Sequence, residues 1–486
     1  MRGVVAAGNV HSVEAATAML ERGGNAIDAA VAGALVCFAA EPLLVSAGGA
    51  GIMLVEPPDS PAVAVDFFSA VPGRGLVRRS GEPALDFEAI EVDFGAARQT
   101  FHVGRGSATV PGVLDGLAGA ARWYGRLSLP ELTAPAIALA RDGLIVDELV
   151  ARTFRLLRAI LARDPACMAE VAFGLPGDRV PQVGELLRNP TLARTLVEFA
   201  EVGGMPESVR RGLIDEFGPA RGGLITPDDL ASPRVERVEP HRFVLGDWSV
   251  ATSPRLGGRL VARIAEALLA SPTRTSEREA ILDVARASLA GHQARSLLGS
   301  TTHVSVVDDQ GGAASVTLTS GEGCGHVVTG TGVHVNNFLG EEDLNPAGFH
   351  RHAAGAALQT MIAPTIARHR DGRVVALGSG GSNRIRSAVA RVLVEVVRGA
   401  SIEIAVLAPR VHAEVTRDHT EVWLELAGLA DPEATREALA AEFATIHPFD
   451  ARDFFFGGVH TVQRSPDGRL TGVGDARRFG LARESS

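Results

Sequence analysis

The chain has 486 residues, 46% of them hydrophobic, with 47 basic and 57 acidic side chains and a formal net charge of −10. That length supports a large core, divided into two or three domains or built as one layered domain. An acidic chain with no arginine run is a poor nucleic-acid or membrane-surface binder, and the absence of lysine excludes Schiff-base lysines, Walker A loops and S-x-x-K hydrolases.

From the N-terminus, Met1 to Asn9 holds no apolar run long enough for a signal peptide. Three scattered cysteines, Cys37, Cys167 and Cys324, fit a reducing compartment. Together these predict a cytoplasmic protein, and no apolar run is long enough to predict a membrane span. Helical spacing covers Glu14 to Arg22, and Gly23-Gly24 stops it in the left-handed position that glycine tolerates. Asn25 caps a second helix of small residues, Ala26 to Ala39, with Asp28 favouring its positive end, and Glu41-Pro42 ends it.

Gly48 to Gly51 then leads into two apolar runs, Ile52 to Val55 and Ala62 to Phe68, which read as paired strands. Helical segments run from about Val113 to Ala200. Thr226 caps a short helix, short strands lie between Arg237 and Ala251, and helices between Leu256 and Ala290. The pattern then changes. Val304 to Val307, the Asp308–Gly312 turn and Ala314 to Thr319 form a hairpin signature. Strands follow near Val333 to Asn336 and Arg373 to Leu377, and Gly378–Asn383 opens an apolar helix over Ala388 to Val397. Val411 to Leu426 is strand-like, Pro432 to Phe443 helical and Val459 to Val473 a closing hairpin. The last few residues read as a tail. Runs of helices and runs of strands predict an α+β layered fold.

The chemistry centres on Gly299-Ser300-Thr301-Thr302-His303-Val304-Ser305-Val306-Val307-Asp308. A threonine after a small, flexible pair can attack its own preceding carbonyl, pass through an ester and emerge as a new N-terminal residue. Its freed α-amine, with a reference pKa of about 7.7–8.0, then serves as general base beside its own hydroxyl.

The segment Thr301 to Asp308 resembles the start of the small subunit of γ-glutamyltranspeptidases. Gly23-Gly24-Asn25-Ala26-Ile27-Asp28-Ala29-Ala30-Val31-Ala32 is similar to the family's first long motif. Asp66-Phe67, Val110-Pro111-Gly112, Ala140-Arg141-Asp142-Gly143 and Ala363-Pro364-Thr365-Ile366 follow in the family's order. The resemblance implies an N-terminal-nucleophile hydrolase: a four-layer αββα sandwich made by a large subunit, residues 1–300, and a small subunit, residues 301–486. It implies Thr301 as nucleophile and Thr319 as the threonine bonded to its hydroxyl. It implies Gly381 and Ser382 as the oxyanion hole, and Thr360 as a substrate-lining hydroxyl. A glycine-rich turn opening a helix suits the oxyanion role independently, although in isolation it also reads as a plain strand-to-helix turn.

Several positions depart from the family. Phe68 stands where an arginine holds the γ-glutamyl carboxylate, Met361 replaces the second of two serines, and Phe338 replaces a Gln or Glu. The acid for the substrate amine falls at Glu341, with Glu342 and Asp343 as alternatives. Arg105 and Arg384 are candidate replacements for the missing cation. The interval from Phe338 to Thr360, where the family carries a lid, is short and predicts an open site. No cofactor or metal is implied: His350 and His352 lack supporting ligands at metal spacing, and His303 reads as structural. The expected activity is cleavage or transfer of an acyl amide, γ-glutamyl or related. The alternatives are a biosynthetic relative acting on a non-glutamyl, amino-acid-derived precursor, and a non-catalytic binding protein of the same fold.

Overall fold

A computed structural model describes every residue except 77–81, 94–97, 173–174, 176, 178, 233–234, 272–275, 290–299 and 416–418. Two antiparallel sheets form its centre. The first contains β1 (Gly3–Ala7), β2 (Ala50–Glu56), β3 (Val63–Phe67) and β4 (Glu236–Val238). The second begins with β5 (His241–Leu245) and β6 (Trp248–Thr252). The first sheet resumes with β7 (Thr301–Asp308) and β8 (Ala313–Thr319). The second is completed by β9 (Thr365–His369), β10 (Val374–Gly380), β11 (Gly458–Arg464) and β12 (Leu470–Val473), and β13 (Leu481–Glu484) returns to the first. The strand orders are β13-β1-β7-β8-β2-β3-β4 and β12-β11-β10-β9-β6-β5.

Burial sorts the side chains into layers. On β1, Val5 and Ala7 face a core shared with the helices α1 (Val10–Glu21) and α2 (Ala26–Ala40), while Val4 and Ala6 face the second sheet. This is the period-two alternation of a strand, here with both faces buried. The middle layer mixes alanines, among them Ala64, Ala251, Ala313 and Ala376, with larger aliphatic residues such as Leu54 and Ile366. Beyond the second sheet, α3 (Leu256–Ala270) and α4 (Arg384–Val397) cover Val250, Val375 and Leu377. The order is helices, sheet, sheet, helices, the expected αββα sandwich.

The local signals account for these elements. Asn25 and Asp28 form a reciprocal capping box on α2, and Gly23 sits at φ +93° after α1. Two readings need correction. The stretch read only for targeting contains β1, which lies between β7 and β13. The supposed tail contains β13, with Val4 opposite Glu484 and Ala7 opposite Leu481. Gly299 and Ala290, parts of two sequence readings, lie outside the described residues. Among the described residues, no helix is long and apolar enough to cross a membrane.

Candidate active site

Thr301 is the first residue of β7, in the middle of the first sheet, directly opposite Thr319 at the end of β8. The Thr301 hydroxyl donates to Thr319 Oγ1 at 3.4 Å. The Thr319 hydroxyl in turn donates to the carbonyl oxygen of Ser300 at 2.5 Å, and the Gly321 N–H donates back to Thr319 Oγ1 at 3.2 Å. One hydroxyl therefore touches both the candidate nucleophile and the carbonyl it would attack. Ser300 and Thr301 are both buried, at 8% and 4% exposure.

The two sheets meet closely here. A Cβ on Gly380 would stand 2.2 Å from the Thr301 carbonyl oxygen, and one on Gly378 would stand 2.2 Å from the His303 ring. Both glycines lie on one face of β10, which extends through Gly380 rather than turning at Gly378. The turn follows at Gly381, φ +123°, and Ser382, φ +48°. Asn383 then returns to φ −57° before α4 begins. A positive φ followed by a right-handed one turns successive N–H groups toward one point, a concavity suited to negative charge. The Ser382 hydroxyl donates to Asp343 Oδ2 at 3.1 Å, which ties the turn to the loop before it.

The pocket at Thr301 has a volume of about 340 Å³ including its mouth. Phe68, Thr319, Phe338, Glu341, Asp343, Thr360, Met361 and Ser382 line it, with Leu344, Ile362 and Ile385. The Phe68 and Phe338 rings stack, with centroids 5.0 Å apart and planes at 27°. Nearly all the residues proposed from sequence converge here. Glu341 and Asp343 both face the pocket, whereas Glu342 is exposed.

Arg105 does not join them. Its guanidinium pairs with Asp86 at 3.3 Å and Asp164 at 3.7 Å, and contacts His326 at 3.2 Å. These acids hold it in a network that also includes Arg163. Arg384 is not among the lining residues: it is buried, its Nε donates to the Phe455 carbonyl at 2.9 Å, and its guanidinium lies 4.7 Å from the Phe455 ring centroid. Its two terminal nitrogens have no hydrogen-bond partner among the described residues. Arg255, which no sequence signal singled out, lies over Phe68, 5.5 Å from the ring centroid. It is committed to Asp66 at 2.7 and 3.1 Å, and to the carbonyls of Leu358 and Phe68. No basic side chain lines the pocket among the described residues.

Acidic side chains line the pocket instead. Burial, reinforced by Glu322 and Asp343, pushes the Glu341 carboxyl well above the usual range. Burial also pushes Glu322 up to about 8, although the Ser300 N–H donates to it. Glu322 was not anticipated, because a lone glutamate between glycines carries no signal. His303 bonds Thr317 through Nδ1 and Ser305 through Nε2, each at 2.8 Å, and burial lowers its pKa well below 6.5. It is a neutral structural residue, as its place on the strand suggested. His350 bonds the Gly106 carbonyl at 2.9 Å. Among the described residues, no group of three or more His, Cys, Asp or Glu side chains could hold a metal ion.

The γ-glutamyltranspeptidase family model matches residues 12–278 and 261–484. The chain belongs to the γ-glutamyltranspeptidase family. It is similar to the acylase ACY 1 proenzyme of Pseudomonas sp. (strain V22), 29% identical over 97% of this chain and 91% of that one. It is similar to the glutathione hydrolase proenzyme of Escherichia coli (strain K12), 25% identical over 98% and 90%. Among solved structures, a cephalosporin acylase from Bacillus halodurans superposes with a TM-score of 0.80 at 23% identity, covering 99% of this chain and 95% of that one. This family member has the fold and enzyme class of γ-glutamyltranspeptidases and acylases, which hydrolyse or transfer amides.

Proposed function

We propose that the family member described here cleaves its own backbone before Thr301 and then hydrolyses or transfers an acyl amide through a Thr301 ester. The Thr319 hydroxyl, 2.5 Å from the Ser300 carbonyl and 3.4 Å from the Thr301 hydroxyl, carries this reading. It polarises the carbonyl as the Thr301 oxygen adds to it. The C–N bond then breaks, the nitrogen takes the proton, and Ser300 is left as an ester on Thr301. Water hydrolyses that ester, releasing a Ser300 carboxylate and a Thr301 with hydroxyl and free amine. In turnover the amine takes the hydroxyl proton, the oxygen adds to the donor carbonyl, and the Gly381–Ser382 turn holds the resulting oxyanion; the donor C–N bond then breaks, the leaving amine takes that proton, and water or an acceptor amine attacks the Thr301 ester to release the acyl group.

The donor that fits is not γ-glutamyl. A substrate carboxylate would meet Phe68, Phe338 and Met361 with no basic side chain among the lining residues described, and a ring cannot replace a bidentate arginine. Apolar walls and the acids Glu341 and Asp343 favour an apolar acyl group carrying an amine and no carboxylate. That supports the non-glutamyl, amino-acid-derived precursor over a γ-glutamyl compound. The buried, unpaired Cys37, Cys167 and Cys324 support a cytoplasmic setting.

Intact mass measurement tests the first step. Wild-type protein should give two fragments, residues 1–300 and 301–486, and Thr301→Ala one uncut chain. Cleavage persisting in Thr301→Ala would refute the assignment, and an uncut wild type would favour a binding protein.

A further inference from the structure

The Thr301 carbonyl oxygen accepts from Arg478 Nη1 at 3.2 Å. Arg478 comes from the turn Ala476–Arg478, near the opposite end of the chain, and is 3% exposed. Its guanidinium lies over the Phe454 ring, 3.7 Å from the centroid. It also flanks the oxyanion turn: Cβ atoms on Gly380 and Gly381 would stand 2.9 and 3.6 Å from its nitrogens. Its Nε and Nη2 have no hydrogen-bond partner among the described residues. Asp475 is taken by Arg410 and Arg477, each at 3.1 Å. Glu41 interacts with Arg478, but burial pushes its own carboxyl up toward the neutral form. Burial pulls the Arg478 guanidinium down to about 9, which leaves it charged at neutral pH. A cation without a contact counter-ion therefore abuts the candidate nucleophile.

We propose that Arg478 is a positioning residue for mature Thr301, pinning its carbonyl and using its unneutralised charge to keep the freed α-amine in the proton-accepting form. This rests on the self-cleavage reading above. An ordinary N-terminal amine, with a pKa of about 7.7–8.0, is largely protonated at neutral pH and cannot then accept the hydroxyl proton. A unit charge about 6 Å away at an effective dielectric of about 20 shifts such a group by on the order of one to two pKa units.

Other charged groups lie around Thr301, and one of them, Asp343, lines the same pocket with the opposite sign. From the loops after β8, Glu322 and Glu341 are pushed toward their neutral forms by burial. Asp343 accepts from Ser382 and is the acid that opposes Arg478. Arg384, on α4, has the same sign as Arg478. Glu41, behind β7, bonds the Thr302 side chain. His303 on the strand itself is neutral.

Competitive labelling of the Thr301 amine by acetic anhydride across pH, read by mass spectrometry, tests this on the processed protein without any substrate. The wild-type amine should titrate below 7.7. Arg478→Gln should raise it by about one unit and Arg478→Lys should leave it near the wild-type value. A merely structural arginine would not produce that charge-dependent split. A wild-type amine titrating at 7.7 or above, or the same value in Arg478→Gln as in wild type, overturns the proposal. If Arg478→Gln does not fold or process, Arg478→Met takes its place in the same comparison with Arg478→Lys, because burial alone also lowers an amine's pKa. A wild-type chain that is never cut exposes no such amine. That outcome refutes the self-cleavage reading and this inference with it, whereas a cut chain with an ordinary amine refutes this inference alone.

Discussion

At the scale of single residues, specificity rests on Phe68. Its ring is fixed between Phe338, stacked at 5.0 Å, and the Arg255 guanidinium at 5.5 Å. Arg255 cannot turn to a ligand without releasing Asp66. Phe68→Arg should therefore place a guanidinium where the pocket has none and raise kcat/KM for a γ-glutamyl anilide about tenfold, the scale of one charge-assisted hydrogen bond. Initial-rate assays of both proteins check this, and brisk wild-type turnover of that anilide would show the pocket has been misread. The apolar substitutions at 68, 338 and 361 were legible in sequence because each interrupts a motif. Glu322, Arg255 and Arg478 were not. Arg255 and Arg478 lie at a helix end and in a turn far away in sequence, and only folding brings them near; Glu322 stands alone between glycines and carries no signal.

At the scale of elements, the decisive unit is β10 with the turn after it. Gly378 and Gly380 allow the second sheet to touch β7, and Gly381 takes a φ of +123° that side chains avoid. A Cβ at Gly381 would stand 3.0 Å from Gly457 Cα. Gly381→Ala should displace the turn's N–H groups and lower kcat by about 10²–10³, the cost of one oxyanion donor. Self-cleavage should largely survive, because the Ser300 carbonyl rests on the Thr319 hydroxyl. Turnover and gel bands measured on one preparation separate the two effects; equal loss of both would place the self-cleavage oxyanion at the same turn. The sequence marked this glycine run but placed the turn three residues early. A strand buried on both faces shows no alternation to mark its end. For the same reason β1 passed as an ordinary N-terminus, whereas α2, with its capping box, was legible to within a residue.

At the scale of the molecule, the two segments divided at Thr301 interleave. In the first sheet, β1 lies between β13 and β7, and β8 lies beside β2. Neither segment completes a sheet alone, so a cut chain should remain one particle. A polar clamp crosses the same division. His326, from the second segment, bonds Asp164 through Nδ1 at 2.6 Å and faces Asp86 at 3.2 Å. Asp86 also holds Arg163 and Arg105. Although burial opposes it, hydrogen bonds from His326 and Arg163 hold the Asp86 carboxyl far below its ordinary 3.8, and His326 similarly lowers Asp164. A carboxylate whose pKa is depressed by folding contributes stability that is fully present above its unfolded pKa, about 3.9, and is lost as pH falls below that value. Asp86→Asn leaves Arg163 and Arg105 short of a charge partner and should cost about 3 kcal/mol, about 3 °C in melting temperature for a chain of this size. The deficit should narrow below about pH 4, as the wild-type acid loses its advantage. Paired thermal melts above and below that pH check both the size and the sign; a deficit that grows on acidification would mean that Asp86 is not the charged partner described.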